Sequence, residues 1–127
     1  MEPAEQIKLI EKACDEILKH KGIRFVGVIN KMGRLVVGRY NTSIKSHLLD
    51  NEDQMVYMQL AMELFLRQEF DKKLGSIDYV LSKRKKVNMI SIPIEKYLVL
   101  VSTEPGIDVD NTFKETIDRL APVLKNG

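Results

Sequence analysis

The sequence predicts an α+β fold: a five-stranded antiparallel sheet with helices on both faces, in the order α-β-β-α-β-β-β-α. Three observations lead there. Apolar residues recur at helical spacing near each end of the chain and over a longer stretch in the middle. Short apolar runs separate these helices, two in the first interval and three in the second, joined by turn-forming or strongly polar residues. All of this fits in 127 residues, a usual length for one domain that buries a core without disulfides or metal. Residues 1–127 are therefore expected to form a single domain.

The first helix is expected from about Glu5 to His20, with Ile7, Ile10, Cys14, Ile17 and Leu18 on its apolar face. Lys19, His20 and Lys21 suit the negative end of its dipole, and Gly22 suits its stop. The stretch from Arg24 to Tyr40 follows as a hairpin. Phe25, Val26, Val28 and Ile29 make one strand, Leu35, Val36 and Val37 the other, and Asn30-Lys31-Met32-Gly33 the turn. Consecutive apolar positions in both strands predict cover on both sheet faces. Gly27 and Gly38 lie inside the strands, where a neighbour must pack close to the backbone.

Asn41 to Leu49 reads as a polar connection, and Asp50-Asn51-Glu52-Asp53 as the start of a second helix running to about Phe70. At about 100° per residue, Gln59, Glu63 and Arg67 form one narrow polar strip on this helix. Most of the remaining circumference is apolar, enough for two buried stripes where covering a sheet needs one. The second stripe requires another partner.

Ile77 to Ser82, Val87 to Pro93 and Tyr97 to Thr103 are expected strands, with Glu95-Lys96 as a tight connection. The run YLVLVST is the most continuously apolar and is placed centrally, beside the first strand, with the second and third strands at the edges. Asp108 or Asp110 starts the final helix, and Thr112 with Glu115 offers a capping box. Phe113, Ile117, Leu120, Ala121 and Leu124 share one face of that helix. The first and last helices are expected on one face of the sheet and the middle helix on the other.

Composition narrows the function. Hydrophobic residues are 44% and charged residues 30%, an ordinary balance for a globular chain. A net charge of +2 weighs against a protein devoted to nucleic acid and allows a local basic patch. The lone Cys14 cannot form an internal disulfide. The charged N-terminal segment lacks a signal-peptide core, and no apolar run spans a bilayer. A cytoplasmic location is expected, where the acceptor triplet Asn41-Thr42-Ser43 has no role.

No catalytic set emerges. His20 and His47 lack metal-ligand spacing to each other or to Cys14, and His20 reads as a helix-end cation. Cys14, on an apolar helix face, reads as a packed thiol. The glycines match no phosphate-binding pattern. No cofactor or metal is expected. Lys83, Arg84, Lys85 and Lys86 form the sharpest charge cluster, a candidate contact with phosphate or an acidic partner. The favoured reading is a solvated hairpin tip that guards an edge strand, since no aromatic residues interleave with it.

The order of elements resembles the roadblock/LC7 family over nearly the whole chain. FVGVINKMGRLVV is similar to that family's first hairpin, and MVYMQLAMELFL to its long apolar second helix. The chain also resembles small archaeal proteins. The resemblance implies a dimer formed through the second helix and third strand, with two sheets joined into one. Met55, Met58, Met62 and Leu66, together with Ile77, Tyr79 and Leu81, would then lie near the interface. It also implies a non-catalytic regulatory or adaptor role, with a small Ras-like GTPase or a larger protein assembly as partner. The alternative is a PAS- or profilin-like small-molecule sensor, which needs a cavity between sheet and helix. The large side chains are expected to fill that space.

Overall fold

The computed structural model describes residues 3–44, 46–48 and 50–125. Helix α1, Ala4–Leu18, buries Ile10, Ala13, Cys14 and Ile17, the predicted stripe. Strands β1, Ile23–Ile29, and β2, Leu35–Tyr40, form the predicted hairpin. In its turn, the Asn30 side chain accepts from the backbone N–H of Met32 and of Arg34, at 2.9 and 3.1 Å. An asparagine that bonds the backbone just ahead of it is a turn-builder.

Gly27 and Gly38 face each other across β1 and β2. A Cβ on Gly27 would lie 2.6 Å from the Phe25 ring, and one on Gly38 would lie 2.6 Å from Leu35. The glycine pair therefore makes room for a ring and an aliphatic chain lying over the backbone, as their position inside strands predicts.

Helix α2, Asp50–Arg67, continues through a short 3-10 turn, Gln68–Phe70, into the single-turn helix α3, Asp71–Leu74. The expected connection from Asn41 to Leu49 includes Lys45 and Leu49, which lie outside the described residues, as do Met1, Glu2, Asn126 and Gly127. Strands β3, Val80–Lys83, β4, Asn88–Ile94, and β5, Tyr97–Thr103, complete an antiparallel sheet in the order β2-β1-β5-β4-β3. The central strand β5 is buried at every position, as its unbroken apolar run predicts. Helix α4, Val109–Leu124, follows. The element order and the placing of strands agree with the sequence reading, with α3 added.

The sheet separates two layers. On one face α1 and α4 pack over Val26, Val28, Ile90, Ile92, Val99 and Val101. On the other, α2 lays Tyr57 and Leu64 on Phe25, Ile29, Leu98 and Leu100. Alternate residues of β5 thus serve opposite layers, which is the period-two rule of a strand covered on both sides.

Four expectations need correction. Cover on both faces holds for β1 but not for β2, an edge strand whose Leu35 is 38% exposed. The third strand begins at Val80, not Ile77. The Tyr79 ring packs against Phe113 with centroids 5.1 Å apart and its hydroxyl donates to Asp110, so this segment is tied to α4 before pairing starts. Asp108 caps α4, accepting from the Asn111 N–H at 3.1 Å, and the Thr112–Glu115 box does not form. Thr112 lies one turn inside the helix with its hydroxyl donating to the Asp108 carbonyl, and Glu115 pairs with Arg119 and His20. The helix expected to reach Phe70 keeps α geometry only to Arg67.

Candidate functional site

Helix α2 presents the chain's least ordinary surface. Tyr57, Leu60 and Leu64 recur at three- and four-residue spacing and face the sheet. On the opposite side of the helix stand Met55, Met62 and Leu66, at 59, 65 and 61% exposed, flanked by Met58 and Phe65. A surface helix ordinarily turns its polar residues to water on that side. Here the polar strip of Gln59, Glu63 and Arg67 lies along one flank instead, with Glu63 and Arg67 paired at 3.2 Å. The most exposed direction of α2 is apolar. Phe70 and Leu74 carry exposed apolar groups onward from the helix end. Neither is among the residues expected at the interface, though both continue the apolar run of α2.

Of the strand residues expected beside this face, the structure places each differently. Ile77 tucks under α2 with the small core there. Tyr79 is on the other layer, held by Phe113 and Asp110. Its hydroxyl pKa is raised, chiefly by that bond to the Asp110 carboxylate. Leu81 is 38% exposed on the edge strand β3. Met58 lies on the flank nearest the first hairpin, where a Cβ on Gly33 would come within 3.1 Å of it. The positive φ of Gly33, 79°, was expected from the turn; its contact with α2 was not.

A groove runs along the other flank of α2, above the corner where β1 begins and β5 ends. Its volume is about 610 Å³. Phe25, Met89 and Leu100 lie in its floor, and Val56, Gln59, Leu60 and Glu63 form its helical wall. Arg84, Lys85 and Lys86 line it as well, while staying exposed as a solvated hairpin tip does. Lys83, the last residue of β3, is outside this lining. Large side chains fill the space directly under α2, and among the described residues the groove opens beside that packed layer. The reason is geometric: α2 rests on the sheet through Tyr57 and Leu64, and the glycine pair under Phe25 lowers the floor beside it.

The remaining candidates have structural roles. Cys14 is fully buried, and burial pushes its thiol pKa up to about 12. His20 sits 3.0 Å from Glu115, joining the end of α1 to α4. His47 lines the groove. Among the described residues no group of three or more histidine, cysteine, aspartate or glutamate side chains is placed to hold a metal ion, and no helix is long and apolar enough to cross a membrane.

The sequence matches the profile described as a family of unknown function, DUF6659, over residues 2–125. The chain belongs to that family. No match arises among curated proteins. Among solved structures, this DUF6659 chain is similar to the gliding protein MglB of Thermus thermophilus, at 14% identity and a TM-score of 0.81, over 100% of this chain and 96% of that one. It is also similar to a roadblock/LC7 domain from Streptomyces avermitilis, at 7% identity and a TM-score of 0.73, over 91% of this chain and 95% of that one. A structure titled MglB with tetrameric arrangement shares 13% identity and a TM-score of 0.79, over 99% of this chain and 94% of that one. The DUF6659 chain has the roadblock/LC7 fold.

Proposed function

We propose that this chain is a non-catalytic, homodimeric regulatory or adaptor module that works through protein contacts. The observation that carries this reading is the outer face of α2, where Met55, Met62 and Leu66 point away from the chain's own core. Contiguous exposed apolar surface on a helix marks an interaction site. Flexible methionines suit a surface that repacks against a partner. Among the described residues the short edge strand β3 pairs only with β4, so a second copy can extend the sheet from it while the two α2 helices cover each other. The fold is shared with MglB, for which a tetrameric arrangement is described. A small Ras-like GTPase or a larger protein assembly is the further partner, on the roadblock/LC7 likeness.

Light scattering after size exclusion tests the dimer. The native chain should elute at twice its monomer mass. Met62→Glu, at the centre of the exposed face, should elute as a folded monomer with an unchanged circular dichroism spectrum. A native monomer at tens of micromolar would sink this reading.

A further inference from the structure

The groove beside α2 has a composition that selects its occupant. Its floor is apolar, with Phe25, Met89 and Leu100, while its helical wall sets Val56 and Leu60 among Asp53, Gln59 and Glu63. Cations bound one end, with Arg84, Lys85 and Lys86 from the β3–β4 loop. None of these three forms an ion pair with the described residues. The other charged residues along the groove are engaged: Arg24 with Glu104 at 2.8 Å, Glu63 with Arg67 at 3.2 Å, and Asp53 with the Tyr40 hydroxyl at 3.3 Å. Ser102 and Ser82 stand on either side of Met89 in the strand register and add hydroxyl groups.

We propose that this groove binds one amphipathic anion, with a carboxylate or phosphate head on Arg84, Lys85 and Lys86 and an apolar body on Phe25, Met89 and Leu100 under α2. The volume of about 610 Å³ falls inside the range of small-molecule sites. Net positive charge at one end and an apolar floor at the other match the two halves of such a ligand. The aromatic rings here pack on one another, Phe25 with Tyr40 at 4.6 Å and with Tyr57 at 6.0 Å, rather than splaying to accept nucleic-acid bases. The ligand is taken from solution as a single molecule, because a concave groove encloses one chain and a bilayer surface needs a convex or flat one. This site lies off the outer face of α2, although it shares β3 with the edge proposed for dimerisation.

Titration calorimetry with the full chain tests the site, using dodecanoate below its micellar concentration. Dodecanoate should bind saturably at one per chain. Dodecyltrimethylammonium, with the same tail and opposite charge, and inorganic phosphate alone should each bind at least about tenfold more weakly. Lys85→Glu with Lys86→Glu, on an exposed loop, should weaken dodecanoate by about tenfold or more. Ser82→Trp, which fills the groove, should abolish binding, whereas Met62→Glu on the outer face should leave it unchanged. Should Ser82→Trp fail to fold, the lysine pair decides. Absence of saturable dodecanoate binding, equal affinity for the cationic chain, affinity unchanged in the lysine double variant, or association only with phosphatidylglycerol vesicles would each overturn the proposal.

Discussion

The two faces of the sheet are built from the same kinds of residue and end differently. The α1/α4 layer closes on itself: sixteen of the described buried residues form its core, and its helices turn charge outward. Arg39 of β2, for example, reaches Glu11 and Asp15 on the outer side of α1 at 3.1 and 3.4 Å. The α2 layer does not close. Six of the described buried residues form its core, its outer side is apolar, and a groove opens along one flank. One layer is finished by the chain, and the other leaves an apolar face for the proposed partner to cover. On that proposal, dependence on a partner is confined to one helix, and the other layer is free to supply stability.

That contrast can be broken first at its strong side. Leu120 is fully buried in the α1/α4 core, so Leu120→Ala should cost about 2–5 kcal/mol. Urea unfolding should give the same loss at every protein concentration. Met62→Ala should instead lower stability only where the native chain associates, and its effect should fade on dilution. Equal and concentration-independent losses would erase the distinction between the layers.

Gly27→Ala probes the floor of the α2 layer. The added methyl meets the Phe25 ring at 2.6 Å, and that ring is held by Tyr40 and Tyr57. Overpacking of this kind should cost about 1–3 kcal/mol. A thermal melt unchanged by the substitution would show that Phe25 moves freely and that the groove floor is soft.

The smallest effect lies between α1 and α4. The Arg119 hydrogen bond, then the His20 contact, holds the Glu115 carboxyl below its usual pKa. The unfolded chain therefore takes up this proton more readily, so the contribution is full above the ordinary carboxylate pKa and fades as pH falls through the folded value. Because the pair is largely solvated, the effect is small. Arg119→Gln should slightly flatten the loss of melting temperature between about pH 6 and about pH 3. An unchanged slope would remove Glu115 from the account.

Much of the fold was legible because each element carried its own signal. The unbroken YLVLVST run required a central strand, and the Asn30–Gly33 turn required a hairpin. The excess of apolar surface on α2 was legible too, since it is a count around one helix. Which stripe turns inward was not: Tyr57, Leu60 and Leu64 differ little in hydrophobicity from Met55, Met62 and Leu66. The groove was illegible for a different reason. Arg24, Met89 and Ser102 come from three strands and meet the Arg84–Lys86 loop only when the sheet has formed. The late start of β3 was hidden likewise, because Tyr79 answers to Phe113 and Asp110 across the fold rather than to its own neighbours.

The most direct test of the unfinished layer uses the chain's own methionines. Methyl NMR spectra would be recorded on the purified protein with and without a soluble nitroxide, which broadens signals that solvent reaches. Met32, 74% exposed in the first hairpin turn, reports free access, and Met89, half-buried in the groove floor, marks intermediate access. Covered by a second copy, Met55 and Met62 should be protected at least as well as Met89. Broadening of both to the level of Met32 would contradict that cover and leave the outer face of α2 bare in solution.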